Sequence, residues 1–115
     1  MRKIIFISIL LISHIGSAFS SDVSSSSSSS QSQIESIQKL AESGNSEAQF
    51  QFALALQLGK VVPSNLELAA KFLEQAAKQN HGLAAGHLGA AYLHGRGVAI
   101  DYEKSFFWNQ VAANL

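Results

Sequence analysis

Residues 84–113 repeat residues 48–77 at a constant offset of 36, without a gap. Ala48 pairs with Ala84, Phe52 with Leu88, Leu56 with Tyr92 and Gly59 with Gly95. Val62 pairs with Val98, Asn65 with Asp101, Glu67 with Glu103 and Phe72 with Trp108, and Ala76-Ala77 with Ala112-Ala113. A fixed period of this length marks a helical-hairpin solenoid. Within each copy two apolar-periodic segments flank a loop, which in the second copy reads Gly95-Arg96-Gly97-Val98. Each copy is therefore expected to be helix, loop, helix. Such a unit cannot bury its apolar side alone and must stack on a neighbour.

Local signals set the ends of the helices. Ile34, Ile37, Leu40 and Ala41 make one apolar stripe on a helix over 33–42, which Gly44 stops. Asn45 caps the next helix, whose inward stripe is Ala48, Phe52, Ala53 and Leu56. Gly59 ends it and 60–64 is the loop. Asn65 caps a helix that turns Leu66, Ala69, Phe72, Leu73 and Ala76 inward. Glu67 with Lys71 and Glu74 with Lys78 are i, i+4 pairs on its outer side. Asn80 takes the left-handed position before the second hairpin. There Ala84, Leu88, Gly89 and Tyr92 face inward, and Gly89 admits a close helix. Asp101 caps the last helix, with Tyr102, Ser105, Trp108 and Ala112 inward. The resulting fold class is all-α: a short α-solenoid of two antiparallel helical hairpins, about 41–76 and 77–113, preceded by one capping helix.

Upstream of that domain, 33–115, two segments have a different character. Arg2 and Lys3, then the apolar run 4–15 and small residues at 16–20, read as a secretory signal peptide over 1–20. The run is shorter than the ~20 residues that cross a bilayer. An exported protein, periplasmic or secreted, with no membrane segment after cleavage is the expectation. Residues 21–32, with an unbroken serine run, read as a flexible linker. Without the leader, six basic and eight acidic residues remain, which provides no basic face for nucleic acid. The chain has no cysteine, so packing alone must hold the domain.

Catalytic chemistry finds no constellation to work with. His81, His87 and His94 are six and seven residues apart; seven residues is ~10 Å of helical rise, too far for two nitrogens to share a zinc at ~2 Å each. The serines lie mostly in the linker, and Ser105 with Asp101 is a packing residue and a helix cap. Gly95-Arg96-Gly97 ends a helix and lacks the Lys-Ser/Thr of a phosphate loop. Phe52, Phe72, Tyr92 and Trp108 fall at core spacing, each contributing ~1.5–3 kcal/mol by burial. No catalytic, cofactor or metal residue is assigned, and the chain is read as no enzyme.

The second copy resembles the Sel-one-like repeat, a relative of the tetratricopeptide repeat. Ala84, Leu88, Gly89, Tyr92, Gly95, Gly97, Val98, Asp101, Lys104, Trp108, Ala112 and Ala113 match its pattern, and Ser105 stands where the family has Ala. The first copy departs more: Ala53, Leu56, Val61, Leu68 and Phe72 replace Gly, Tyr, Gly, Lys and Trp. The resemblance covers about 41–113. It implies a non-catalytic adaptor that binds a protein or peptide, with the first helix of each pair lining a concave groove. On that basis Glu47, Gln51, Leu54 and Leu58, with Leu83, His87, Ala90 and His94, form the partner-binding strip. Many bacterial members are exported, so a secreted host-contact or virulence-associated role is one alternative. A penicillin-type ligand binder or envelope enzyme is the other, although the branch so described carries cysteine pairs that this chain lacks. The last helix carries Tyr102, Phe106, Phe107 and Trp108 and cannot turn all four rings inward. Phe107, at the place of Lys71, is expected to stay exposed and to be covered by a second copy in a homodimer or by a partner.

Overall fold

A computed structural model describes residues 15–115, with side chains from residue 29 onward. The described residues form five helices and no strand: α1 Ile15–Glu42, α2 Ser46–Leu58, α3 Leu66–Lys78, α4 Gly82–His94 and α5 Tyr102–Asn114. Helices α2 and α3 form one hairpin and α4 and α5 the other, and α4 packs on α3. The chain divides into two compact units, Met1–Ser32 and Gln33–Leu115. The second holds both hairpins and the end of α1.

The caps are where the residue types place them. Asn45, Asn65 and Asp101 are extended, and their side chains accept the backbone N–H three residues on, from Ala48, Leu68 and Lys104. Each satisfies one orphan donor of a helix start. Gly59 and Gly95 close α2 and α4 in the left-handed conformation, and Asn80 adopts φ 68° before α4. The fourth cap is unexpected. His81 is the N-cap of α4, and its Nδ1 accepts from the Ala84 N–H at 3.2 Å.

The core joins Ala48, Phe52, Ala53 and Leu56 of α2 to Ala69, Phe72, Leu73 and Ala76 of α3 and to Ala84 and Leu88 of α4. Leu73 and Leu88 are fully enclosed. The Phe52 and Phe72 rings meet edge to face at 5.3 Å between centroids, the geometry aromatic pairs prefer. Glu74 and Lys78 pair at 2.8 Å, whereas no ion pair joins Glu67 to Lys71 among the described residues.

Several expectations change. The stretch 21–32, expected as a linker, is helical within α1. No Gly or Pro interrupts it, and serine is compatible with a helix when its hydroxyl bonds back to the preceding turn, as Ser32 Oγ does to the Ser29 carbonyl at 3.1 Å. Leu40 is exposed, because it lies ~100° round the helix from buried Ala41. Tyr102 is exposed too. Its counterpart Leu66 is half-buried, with Gly97 of the next loop lying against the Leu66 carbonyl; no described loop backs onto Tyr102. Trp108 and Tyr92 are only half-buried at the edge of the core. Phe50 and Gln49, absent from the expected stripe, are buried. Gln49 Nε2 donates to the Ala41 carbonyl at 3.1 Å and to Gln75 Oε1 at 3.2 Å, and its Oε1 accepts from Gln79 at 2.9 Å. One amide thus ties α1, α2 and α3 together. The leader expected over 1–20 lies largely outside the described residues. Among those described, no helix is long and apolar enough to cross a membrane.

Candidate functional site

Helical spacing puts Glu47, Gln51, Leu54 and Leu58 along one side of α2, and Leu83, His87, Ala90 and His94 along the matching side of α4. The structure brings the starts of these two strips together. The His81 Nδ1 accepts the α4 cap bond, so the ring proton sits on Nε2 and is donated to Glu47 Oε2 at 2.7 Å. Gln51 Nε2 donates to the other carboxylate oxygen of Glu47 at 2.9 Å. The Phe50 ring lies between His81 and His87, with centroids 4.8 and 5.3 Å away.

These bonds act on the Glu47 carboxyl. The hydrogen bond from His81, then that from Gln51, holds its pKa below the ordinary carboxylate range, against a smaller opposing effect of burial. A lowered carboxylate pKa means that the folded state binds fewer protons than the unfolded chain as pH falls. The contribution is therefore complete above the ordinary value near 4.3 and is lost as pH drops through the lowered one. The His81 ring is largely covered but the Glu47 side chain is 61% exposed, so solvent screens the pair and its role is to orient the helices more than to hold them.

The strip then divides by function. Glu47 and Gln51 are exposed but already engaged with each other and with His81, so their polar groups serve the contact between hairpins. Leu54 is half-buried and packs on the core, because the stripe through Phe50 and Leu54 is itself partly covered. Leu58 and Leu83 stand free at 70% and 65% exposure. His87 and His94 are exposed on α4. Phe107 is 54% exposed, as expected, and Phe106 beside it 66%. The Phe107 ring meets Trp108 edge to face at 5.0 Å.

Sequence reasoning missed Phe50 and His81. The signal for Phe50 was present: it falls three residues after Glu47 and four before Leu54, on the same stripe. For the His81 cap the period was the signal, since the offset of 36 sets His81 on Asn45; for its bond to Glu47, 34 residues away, there was none. Among the described residues no group of His, Cys, Asp and Glu could hold a metal ion.

The Sel1 repeat family model matches residues 46–81 and 83–115. Those limits begin each unit at its first helix, a few residues after the boundaries read from the repeat, and enclose the same two hairpins. The chain is similar to the crystal structure of a Sel1 repeat protein from Oxalobacter formigenes, at 32% identity over 70% of this chain and 23% of that one, with a TM-score of 0.67. It is similar also to a protective antigen present in uropathogenic Escherichia coli strains that displays an SLR fold, at 31% identity over 70% of this chain and 17% of that one, with a TM-score of 0.67. The chain thus spans less than a quarter of the length of either. No curated protein sequence matches it. Two consecutive matches, on the two hairpins that the 36-residue period marks out, place the chain in the Sel1 repeat family.

Proposed function

We propose that the chain is an exported, non-catalytic interaction module that binds a protein or peptide along α2 and α4. The observation that carries this is the pair Leu58 and Leu83, large apolar residues left exposed on the matching faces of the first helices of both hairpins. Leu58 closes α2 and Leu83 opens α4, so the two stand at opposite ends of the strip with the exposed polar residues Gln51, His87 and His94 along it. Apolar anchors spaced along a polar strip suit an extended peptide or a helix. Sel1 repeats generally mediate protein–protein interactions, which supports the same reading. Export rests on Arg2, Lys3 and the apolar run after them. One structural neighbour is a protective antigen, a context in which an exported product is unsurprising.

A photo-crosslinking side chain placed at Leu58 or Leu83 of the full chain in its native cells tests the reading. Discrete adducts from both positions, and none from Lys71 on α3, are the expected result. The double variant Leu58→Asp/Leu83→Asp keeps its helical circular dichroism and loses partner capture. Equal labelling from Lys71, or collapse of the fold in the double variant, overturns it.

A further inference from the structure

The first hairpin has a stacking face, and α4 lies on it. The contact consists of Glu47 against His81 and of Phe50 against the rings of His81 and His87. The same face of the second hairpin, one period further on, is built by Leu83, Gly86 and His87 of α4 with Ala112 and Leu115 of α5. It forms a groove of about 660 Å³, and nothing among the described residues lies across it.

Two exchanges distinguish this groove from the covered face. Leu83 stands at the place of Glu47, and Gly86 at the place of Phe50. The first removes a charge, and none of the residues lining the groove is Asp, Glu, Lys or Arg. The second removes a ring from the floor. A Cβ at Gly86 would meet only the Ala112 Cβ, at 3.8 Å, so the space that Phe50 fills in the first hairpin is open here.

We propose that this groove receives an amphipathic helix of another protein, laid across α4 and α5 as α4 lies across α2 and α3. A large apolar side chain of that helix, Phe, Leu or Met, enters above Gly86. The surface continues an interface the chain already makes, with the sizes inverted. In the covered contact the floor supplies the ring; in the open one the floor is glycine, and the incoming helix supplies it. A second copy stacked in the repeat register would bring Asn45 and Gln51 to the positions of His81 and His87. Both are polar, and neither supplies the large apolar side chain that a charge-free groove with a glycine floor fits, so a second copy in this register does not match it. The inference rests on the interaction-module reading and gives the partner's chemistry at a face that shares only Leu83 and His87 with the strip.

The test uses fluorescein-labelled synthetic copies of residues 81–94, the segment that covers the first face, carrying either His87→Phe or His87→Ala. Fluorescence anisotropy against the full chain reads the affinity. The Phe peptide binds roughly tenfold tighter than the Ala peptide, as expected for seating one large apolar group. Gly86→Phe in the protein, which fills the floor as Phe50 does, removes that difference. Leu115→Glu places a charge in the groove without entering a helix interior and weakens the Phe peptide by a similar factor, so the test survives a poorly folded Gly86 variant. Leu58→Asp, on the strip but outside the groove, leaves the titration unchanged. Equal binding of the two peptides overturns the proposal, as does loss of the Phe peptide on Leu58→Asp, which would seat it on the strip. Self-association of the full chain that Gly86→Phe abolishes in sedimentation would make the occupant a second copy and overturn it as well. Crosslinks at Leu58 without a peptide preference would sink this inference alone and leave the strip standing.

Discussion

His81 does two things with one ring. Its Nδ1 caps α4 and its Nε2 holds Glu47 on α2, so a local helix signal and a contact between hairpins share a residue. Removing the side chain leaves the Ala84 N–H without its acceptor and frees Glu47. We expect His81→Ala to cost ~1–2 kcal/mol, the range of a lost cap with little added for a pair whose carboxylate is solvent-exposed. His81→Asn keeps a cap acceptor, as Asn45 does at the matching position, and should recover most of that loss. Chemical denaturation of the two variants checks this; an Asn variant no more stable than the Ala variant would show that the Glu47 contact, and not the cap, carries the effect. The residues that the sequence announced are those whose partners are three or four positions away. Asn45, Asn65 and Asp101 cap as read, and Asn80 takes the left-handed turn. Gln49 and the His81 bond to Glu47 were not legible, because those partners come from other helices. The His81 cap has its partner three positions on and was missed because histidine is not among the usual cap residues.

Among the helices, α2 and α4 share a difficulty. Both are apolar on more than one side, so periodicity does not say which side is core. Phe50 and Leu54 were placed outside or left out for that reason, and their burial depends on where α4 lies. The glycines of the second hairpin separate into two kinds at this scale. Gly86 lies mid-helix with ordinary space for a Cβ beside Ala112, and glycine there costs backbone entropy. Gly86→Ala should stabilise the chain by ~0.5–1 kcal/mol. Gly97 combines φ 81° with the Leu66 carbonyl directly in the path of a Cβ, and backbone does not yield as a side chain does. Gly97→Ala should destabilise by several times as much as Gly86→Ala stabilises. Thermal melts of the pair decide it: a lower midpoint for Gly86→Ala, or an unchanged one for Gly97→Ala, would contradict the packing described.

Over the hairpin domain as a whole, burial is uneven. Helix α3 encloses Ala69, Ala70, Phe72, Leu73, Ala76 and Ala77, whereas α5 encloses only Ser105. Stability measured amide by amide should track that difference. Hydrogen exchange is expected to be at least roughly tenfold faster for residues 105–111 than for residues 69–76, and equal protection would mean that the last helix is held by more than the contacts seen. The fold class and the two hairpins were legible because the period is long and unbroken. The uneven burial was not, because a repeat pattern describes what units share, whereas exposure at the second hairpin depends on the cover a neighbouring unit provides. Tyr102 and Trp108 looked like core by their match to Leu66 and Phe72, and each lacks part of the cover its counterpart has.

The approach of Gly97 to Leu66 also gives the chain a direction. The loop of the second hairpin can press against the helix of the first because it has no side chain at that point. The loop of the first hairpin carries Val61 at the matching place, and valine tolerates neither that conformation nor that proximity. The two units are therefore not exchangeable. Spliced in reverse order, they would bring a branched side chain onto the Tyr102 carbonyl, and the seam between them would not close. The order of the hairpins along the polypeptide is thus fixed by sterics at one loop position, independently of the core residues that the two units have in common.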